Sequence, residues 1–378
     1  MSLRSLRPEL PAVGAAPEAV RKLARLEEVM RTGRRPLVLA HDNPDPDSLA
    51  AAAALAYLLR RTLGQEARVA YGGVIGRAEN QAMVRELRLP LVPVSRIVFD
   101  DYDRICLVDT QPDSGNHSLP PRHLPDVVVD HHPPQERSVR APFVDLGADC
   151  GATSTMLARY LAAAGIEPPP QIATALFYGI KSDTRDLGRQ TGPADETAYL
   201  WLFPRVDKIA LGRIEHPLLP AVYFQFLHAA IERARRHGDV LVADLGRLYA
   251  PDLTAEVAEH FLFIEGIRAS LALGSYQREV VVSLRAGDGS LNAGMLAREV
   301  CLALGGTGGG HASMAGARVP IPAGGAVAAD RTRRAVARRF LAALGVRAGS
   351  RGRRLLDRAA RASAPIGAHR LGPRQRFR

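Results

Sequence analysis

Short apolar runs alternate with amphipathic stretches along the first half of the chain. Val20, Leu23, Leu26 and Val29 recur at helical spacing and predict a helix from Pro17 to Thr32. The run Pro36-Leu-Val-Leu-Ala40 predicts a buried strand. The Ala-rich stretch from Leu49 to Leu63 predicts a helix capped by Asp47 or Ser48 and stopped by Gly64. The pattern then repeats, with strands over Ala67 to Tyr71, Arg104 to Val108 and Asp126 to Val129. Helices are predicted over Asn80 to Leu87, Thr153 to Gly165 and Gln171 to Ile180. Such alternation predicts an α/β fold built on a mostly parallel sheet covered on both faces. A largely helical stretch, Thr191 to Arg236, leads to a second set of elements. Its strands are Asp239 to Asp244, Ala269 to Gly274 and Arg278 to Arg285, and its helices are Thr254 to Glu265, Asn292 to Leu304 and Ala328 to Leu344. The expected organisation is a parallel-sheet N-terminal domain over 1–200, a helical linker over 201–238, a smaller α/β domain over 239–345 and a tail over 346–378.

Length and composition agree with two packed domains, since 378 residues with 47% hydrophobic side chains can fill two cores. The net charge of +11 is unevenly spread: Val346 to Arg378 holds ten arginines and one aspartate, which leaves +2 for everything before it. The basic signal therefore belongs to the tail. It reads as a solvated segment, with loose contact to nucleic acid as the sharper alternative. Cys106, Cys150 and Cys301 lie far apart, form no metal-type pair and suit a reducing compartment. The N-terminus shows no signal-peptide pattern, and the longest apolar run, Leu49 to Leu59, is too short to span a bilayer. A cytoplasmic protein without membrane attachment is expected.

The chemistry gathers where strands end. His41, Asp45 and Asp47 follow the first strand, Asp109 follows another, and Asp130-His131-His132 follows a third, with Asp183 closing an apolar helix. Open parallel sheets bind ligands at the carboxyl ends of their strands, which brings such residues into one crevice. Several carboxylates at short range repel one another unless cations neutralise them. Carboxylates with a few imidazoles suit Mn²⁺ best, ahead of Mg²⁺, Co²⁺ or Fe²⁺, with Zn²⁺ less favoured without thiolates. The spacing supports two ions: His41 and Asp45 can turn towards one, Asp47 towards another, and Asp109 can bridge them. Two bridged ions can hold a hydroxide poised for in-line attack on phosphorus. Taken singly, an aspartate after a strand is more often a helix cap and a histidine more often a satisfied polar residue. The conjunction at three strand ends carries the reading.

Asp130-His131-His132 after Val127-Val-Val129 resembles the name-giving motif of the DHH phosphoesterases. His41-x-x-x-Asp45-x-Asp47 resembles the first motif of that family, Val108-Asp109 the second, and Gly179-Ile-Lys-Ser-Asp183-Thr184 the fourth. The resemblance implies one metal held by His41, Asp45 and Asp109 and another by Asp47, Asp109, His131 and Asp183. It places His132 at the substrate phosphate and makes Asp130 the partner that orients the imidazoles. The chain departs from the short-RNA branch in two places. Pro46 stands where glycine is usual, and Arg185-Asp186-Leu187 stands where Gly-x-Phe is frequent.

Gly308-Gly-Gly-His311 is similar to the signature of the DHH-associated C-terminal domain, and Arg285 matches a position that would bind phosphate or base. By themselves a glycine run is more often a flexible loop and Arg285 an ordinary surface arginine. The resemblance implies a substrate-binding domain formed with Gly308, Gly309, Gly310, His311 and Arg285, and an active site in the cleft between the domains. That domain argues against a pyrophosphatase and for the nanoRNase and pAp-phosphatase branch. The implied activity is hydrolysis of short oligoribonucleotides or linear dinucleotides to mononucleotides, with pAp as a further substrate. A RecJ-like single-strand DNA exonuclease and a cyclic-dinucleotide phosphodiesterase are the enzymatic alternatives, and a nucleotide-binding protein without activity is the non-enzymatic one. The resemblance also suggests a homodimer.

Overall fold

The computed structural model describes residues 17–134, 140–147, 149–189, 191–287, 291–310, 312–347 and 349–356. The chain divides into two compact units at Leu218 and Leu219.

In the first unit, helix α1 (Pro17–Met30) precedes β1 (Pro36–Ala40), α2 (Pro46–Leu63), β2 (Arg68–Tyr71), α3 (Ala78–Leu87) and β3 (Leu91–Pro93). Then come β4 (Arg104–Val108), β5 (Val127–Asp130), β6 (Phe143–Leu146), α4 (Thr153–Ala163), α5 (Pro170–Asp183), α6 (Pro193–Leu202) and α7 (Lys208–Glu215). All six strands run parallel in the order β3-β2-β1-β4-β5-β6. The order reverses between β1 and β4, and at such a switch point the loops leave the sheet in opposite directions and open a crevice.

The strands are buried on both sides, so their residues divide by parity. Val38, Ala40, Cys106, Val108, Val127 and Val129 pack into a core with the helices. Leu37, Leu39, Ile105, Leu107 and Val128 face the other way. That second face is covered by Val94, Ile97, Phe99, Tyr102 and Leu119 from irregular segments and short 3-10 turns. Helix α2 is sealed from solvent along Leu49 to Leu55 except for traces at Ala53. It starts earlier than its apolar pattern suggests. Asp45, and not Asp47 or Ser48, is the N-cap, its carboxylate accepting from the Ser48 N–H at 3.0 Å. Pro46 occupies the first helical turn, where a missing N–H costs nothing. Gly64 ends the helix in the left-handed conformation at φ 68°. No helix among the described residues is long and apolar enough to cross a membrane.

The second unit begins with α8 (Ala221–Arg233), β7 (Arg235–His237), β8 (Val240–Arg247), α9 (Leu253–Leu262), β9 (Ala269–Tyr276) and β10 (Glu279–Ala286). It continues through α10 (Ala293–Leu302), β11 (Thr307–Gly310), β12 (Met314–Pro320), α11 (Gly325–Ala343) and β13 (Arg353–Arg354). Its sheet has the order β11-β12-β10-β9-β8-β7-β13 and is mixed, with β8 parallel to β9 and the other pairs antiparallel. Val240 and Val242 pack with α10 and α11, while Leu241 and Ala243 pack with α8 and α9.

The glycine run forms an edge strand, because β11 must lie close to α10. A Cβ on Gly308 would stand 2.7 Å from the Ala297 carbonyl oxygen, and one on Gly294 would stand 2.1 Å from that of Gly310. The segment read as a tail from Val346 returns to the sheet at Arg353–Arg354, where pairing satisfies an otherwise open edge; residues 357–378 lie outside the described residues. Gly294→Ala should destabilise the second unit by about 1–3 kcal/mol, the usual cost of overpacking. Chemical denaturation followed by hydrogen exchange checks this: protection should fall in 293–320 and stay unchanged in the parallel-sheet unit.

Candidate metal centre

Three connections rise from the carboxyl ends of β1, β4 and β5, and α5 adds its last residue from the side. Asp109, directly after β4, lies at the middle. Its backbone has φ 58°, a left-handed conformation that aspartate tolerates better than most residues. Its N–H bonds to the Val129 carbonyl at 2.9 Å, which ties the turn to β5. One carboxylate oxygen lies 3.5 Å from His41 Nε2, and the other lies 3.6 Å from His131 Nε2 and 3.7 Å from His132 Nδ1. Asp109 thus has imidazoles against both oxygens.

Three overlapping groups surround it. Ligand-capable atoms of His41, Asp45 and Asp109 lie within 4.8 Å of one another, as do those of Asp47, His131 and Asp183, and those of Asp109, His131 and His132. His131 Nε2 is 3.3 Å from Asp183, and His41 Nε2 is 3.6 Å from Asp45. His41 Nδ1 lies 3.0 Å from the Asp42 carbonyl. A carbonyl only accepts, so Nδ1 carries a proton and Nε2 is the ring atom turned to the cluster.

The electrostatics show what the cluster needs. Burial, and then the neighbouring Asp183 carboxylate, push Asp47 up to about 7. Burial, and then Asp47 and Asp45, hold Asp109 well above the usual carboxylate range. Burial opposes protonation of His41 and His131, yet Asp45 and Asp183 outweigh it and lift both to about 9. Asp45 is pulled below its ordinary value against burial by His41. Asp47 and Asp109 are 0% and 1% exposed, and neither pairs with an arginine or lysine among the described residues. Buried carboxylates of this kind call for cations, and the donor set of oxygens and imidazoles fits hard to borderline divalent ions. Thiols take no part: Cys106, Cys150 and Cys301 are buried, and burial raises all three above their ordinary value.

The supporting residues were not legible in the sequence. Both oxygens of Asp47 accept from the N-terminus of α4, from Thr153 N–H at 2.7 Å and Ser154 N–H at 2.8 Å. Thr153 Oγ1 donates to Asp109 at 2.9 Å. Asp195, fully buried, accepts from the Gly151 and Gly192 N–H groups and from Thr155 Oγ1, and so fixes the turn that presents Thr153 and Ser154. Gly179 in α5 lets that helix close on the same spot; a Cβ there would stand 2.3 Å from Ser154 Oγ and 3.1 Å from Asp47. Asp130 accepts from His132 Nδ1 at 2.7 Å and from Gln111 Nε2 at 2.7 Å. His132 and Asp45 are the solvent-facing members, with side chains 33% and 44% exposed. After Asp183, the residues Arg185, Asp186 and Leu187 all have positive φ, at 49°, 58° and 65°, a strained turn.

In the second unit, Arg285 is buried and not a surface arginine; it lies opposite Met314 one rung beyond the level at which Ala315 meets Gly310. His311 lies outside the described residues.

Comparisons with known proteins agree with this anatomy. Residues 35–180 match the DHH family, N-terminal domain, and residues 237–337 match the DHHA1 domain. An uncharacterized protein of Methanocaldococcus jannaschii is 35% identical over 281 residues, covering 73% of this chain and 57% of that protein. A probable manganese-dependent inorganic pyrophosphatase of Lactiplantibacillus plantarum is 28% identical over 155 residues, covering 39% of this chain and 47% of its own length. The chain thus spans about half the length of these relatives. A solved structure, an exopolyphosphatase-related protein from Bacteroides fragilis, shares the fold with TM-score 0.65 and 13% identity, covering 85% of this chain and 96% of that one.

Asp109→Asn keeps a residue that tolerates the left-handed conformation while removing a buried charge. The cation-free variant should therefore melt higher than the parent and lose the rise in Tm that Mn²⁺ gives the parent. Asp195→Ala should cost about 2–4 kcal/mol and weaken Mn²⁺ uptake by loosening the α4 N-terminus around Asp47. Thermal melts with and without Mn²⁺ check both.

Proposed function

This chain belongs to the DHH family, and on that footing we propose that it hydrolyses a phosphodiester bond in a short oligonucleotide or linear dinucleotide, with two divalent cations, Mn²⁺ foremost. The position of Asp109, with imidazoles against both carboxylate oxygens, is the observation that supports this most strongly. His41, Asp45 and Asp109 would hold one ion; Asp47, Asp109, His131 and Asp183 would hold the other. Divalent cations there act as Lewis acids on the phosphoryl group and make water a stronger acid.

The remaining roles fall to the protein. The carboxylate of Asp130 accepts from His132 Nδ1, so the proton sits on Nδ1 and the ring presents Nε2 on its exposed side. From Nε2 the protonated ring gives a proton to the leaving ester oxygen. Gln111 and the His132 N–H hold Asp130 in place, which fixes the ring. The DHHA1 domain would recognise phosphate or base through Arg285, Gly308, Gly309, Gly310 and His311. The similarity to the pyrophosphatase runs over 155 residues only, and this chain has the DHHA1 domain besides. Removal of the 3′-phosphate of pAp uses the same groups.

Incubation with Mn²⁺ and, separately, pApA, a five-nucleotide RNA, pAp, a cyclic dinucleotide, a long single-stranded DNA and pyrophosphate tests the reading. Mononucleotides released from pApA or the short RNA, and lost with Asp109→Ala, are expected. Turnover of pyrophosphate alone, or of long DNA alone, would contradict it. His132→Ala should lower kcat by about 10²–10⁴-fold, the usual worth of a positioned acid, while the rise in Tm with Mn²⁺ persists.

A further inference from the structure

The far edge of the second unit carries an arrangement that hydrolysis does not use. Strands β7 and β13 pair so that Arg353 lies opposite Arg236 and Arg354 opposite Arg235. Directly opposed residues of an antiparallel pair project to the same face, and like charges there repel. The structure holds the pair together by other means. Arg236 donates from Nε to the Gly238 carbonyl at 2.8 Å and from Nη2 to the Gly266 carbonyl at 3.1 Å. His237 Nδ1 lies 2.9 Å from Ser350 Oγ, and the Leu355 N–H bonds to the Ala234 carbonyl at 3.2 Å. Gly352 closes against the His237 ring, where a Cβ would meet Nε2 at 2.5 Å.

Beside this ladder lies an open groove of about 750 Å³, lined among others by Arg236, Arg268, Arg347 and Arg353, with Asp239 the one acidic residue among the described lining residues. Asp239 is engaged by Arg268 at 2.9 Å. The side chains of Arg347, Arg353 and Arg354 are exposed and make no ion pair with a described residue. Four guanidinium groups around a groove with one paired carboxylate leave a concave surface of net positive charge.

We propose that this groove binds the phosphodiester backbone of single-stranded nucleic acid, at a site built from second-unit residues alone and independent of the hydrolytic reading. Guanidinium forks match phosphate oxygens in pairs, and four of them around one open groove suit a chain of phosphates more than one isolated anion. Recognition rests on backbone charge, so RNA and DNA of one sequence should bind alike.

The test uses the full-length chain in EDTA, which prevents cleavage, with the six arginines beyond Arg354 replaced by serine so that the terminal segment contributes no guanidinium. Fluorescence anisotropy with labelled 20-nucleotide RNA and DNA is measured across a salt series. This protein should bind both within about threefold of each other. Adding Arg347→Glu and Arg353→Glu should weaken binding at least about tenfold and flatten the slope of log K against log salt by about 1.4, the value for two phosphate contacts to a single strand. Arg353→Lys should retain most of the affinity, and an unchanged Tm in every variant shows that the fold survives. Loss of binding on replacing the six terminal arginines would overturn the proposal, as would indifference to the two charge reversals. Binding to phosphatidylglycerol vesicles with none to either oligonucleotide would overturn it too.

Discussion

Buried carboxylates crowd together at the switch point of a parallel sheet, and most of the first unit is arranged around that cost. Asp47 and Asp109 are sealed from water, near Asp45 and Asp183, with no lysine or arginine among the described residues paired to either of the first two. In an ordinary core such a group would be eliminated or neutralised. Here burial and the neighbouring carboxylates oppose ionisation of both, while hydrogen-bond donors hold the two groups in position. The α4 N-terminus supplies two N–H donors to Asp47, Thr153 supplies a hydroxyl to Asp109, and imidazoles supply what positive charge the protein itself has. The cluster is incomplete without cations, and its stability is given up to keep them.

The same constraint explains other choices of residue and backbone around the cluster. Asp195 is buried to hold the turn before α4, Gly179 is a glycine so that α5 can close on Asp47, and Asp109 keeps a left-handed backbone to aim between its neighbours. The second unit answers a different constraint, close approach of backbone to backbone. Gly294, Gly308 and Gly310 stand where α10, β11 and β12 press together, so the glycine run is rigid packing before it is anything else.

Much of this could be read in advance. Apolar runs marked the inner strands because those strands are buried on both faces, and a charged residue straight after such a run can only lie at the strand's end. All six candidate ligands come together accordingly. Short or edge strands such as Leu91–Pro93, Phe143–Leu146 and Arg353–Arg354 left no period long enough to see. Asp195 and Thr153 were hidden because their role is set by contacts between residues more than forty positions apart. The cap of α2 lies two or three residues before Asp47 or Ser48, because the apolar run begins only at Leu49 while the capping bond runs from the Ser48 N–H to Asp45.

The central claim, that Asp109 bridges two cations, is tested most directly by titrating the metal-free protein with Mn²⁺ and recording its electron paramagnetic resonance. Two ions bound per chain, with the broadened spectrum of a spin-coupled pair, is the result this account predicts. A single uncoupled ion, or none, would contradict it.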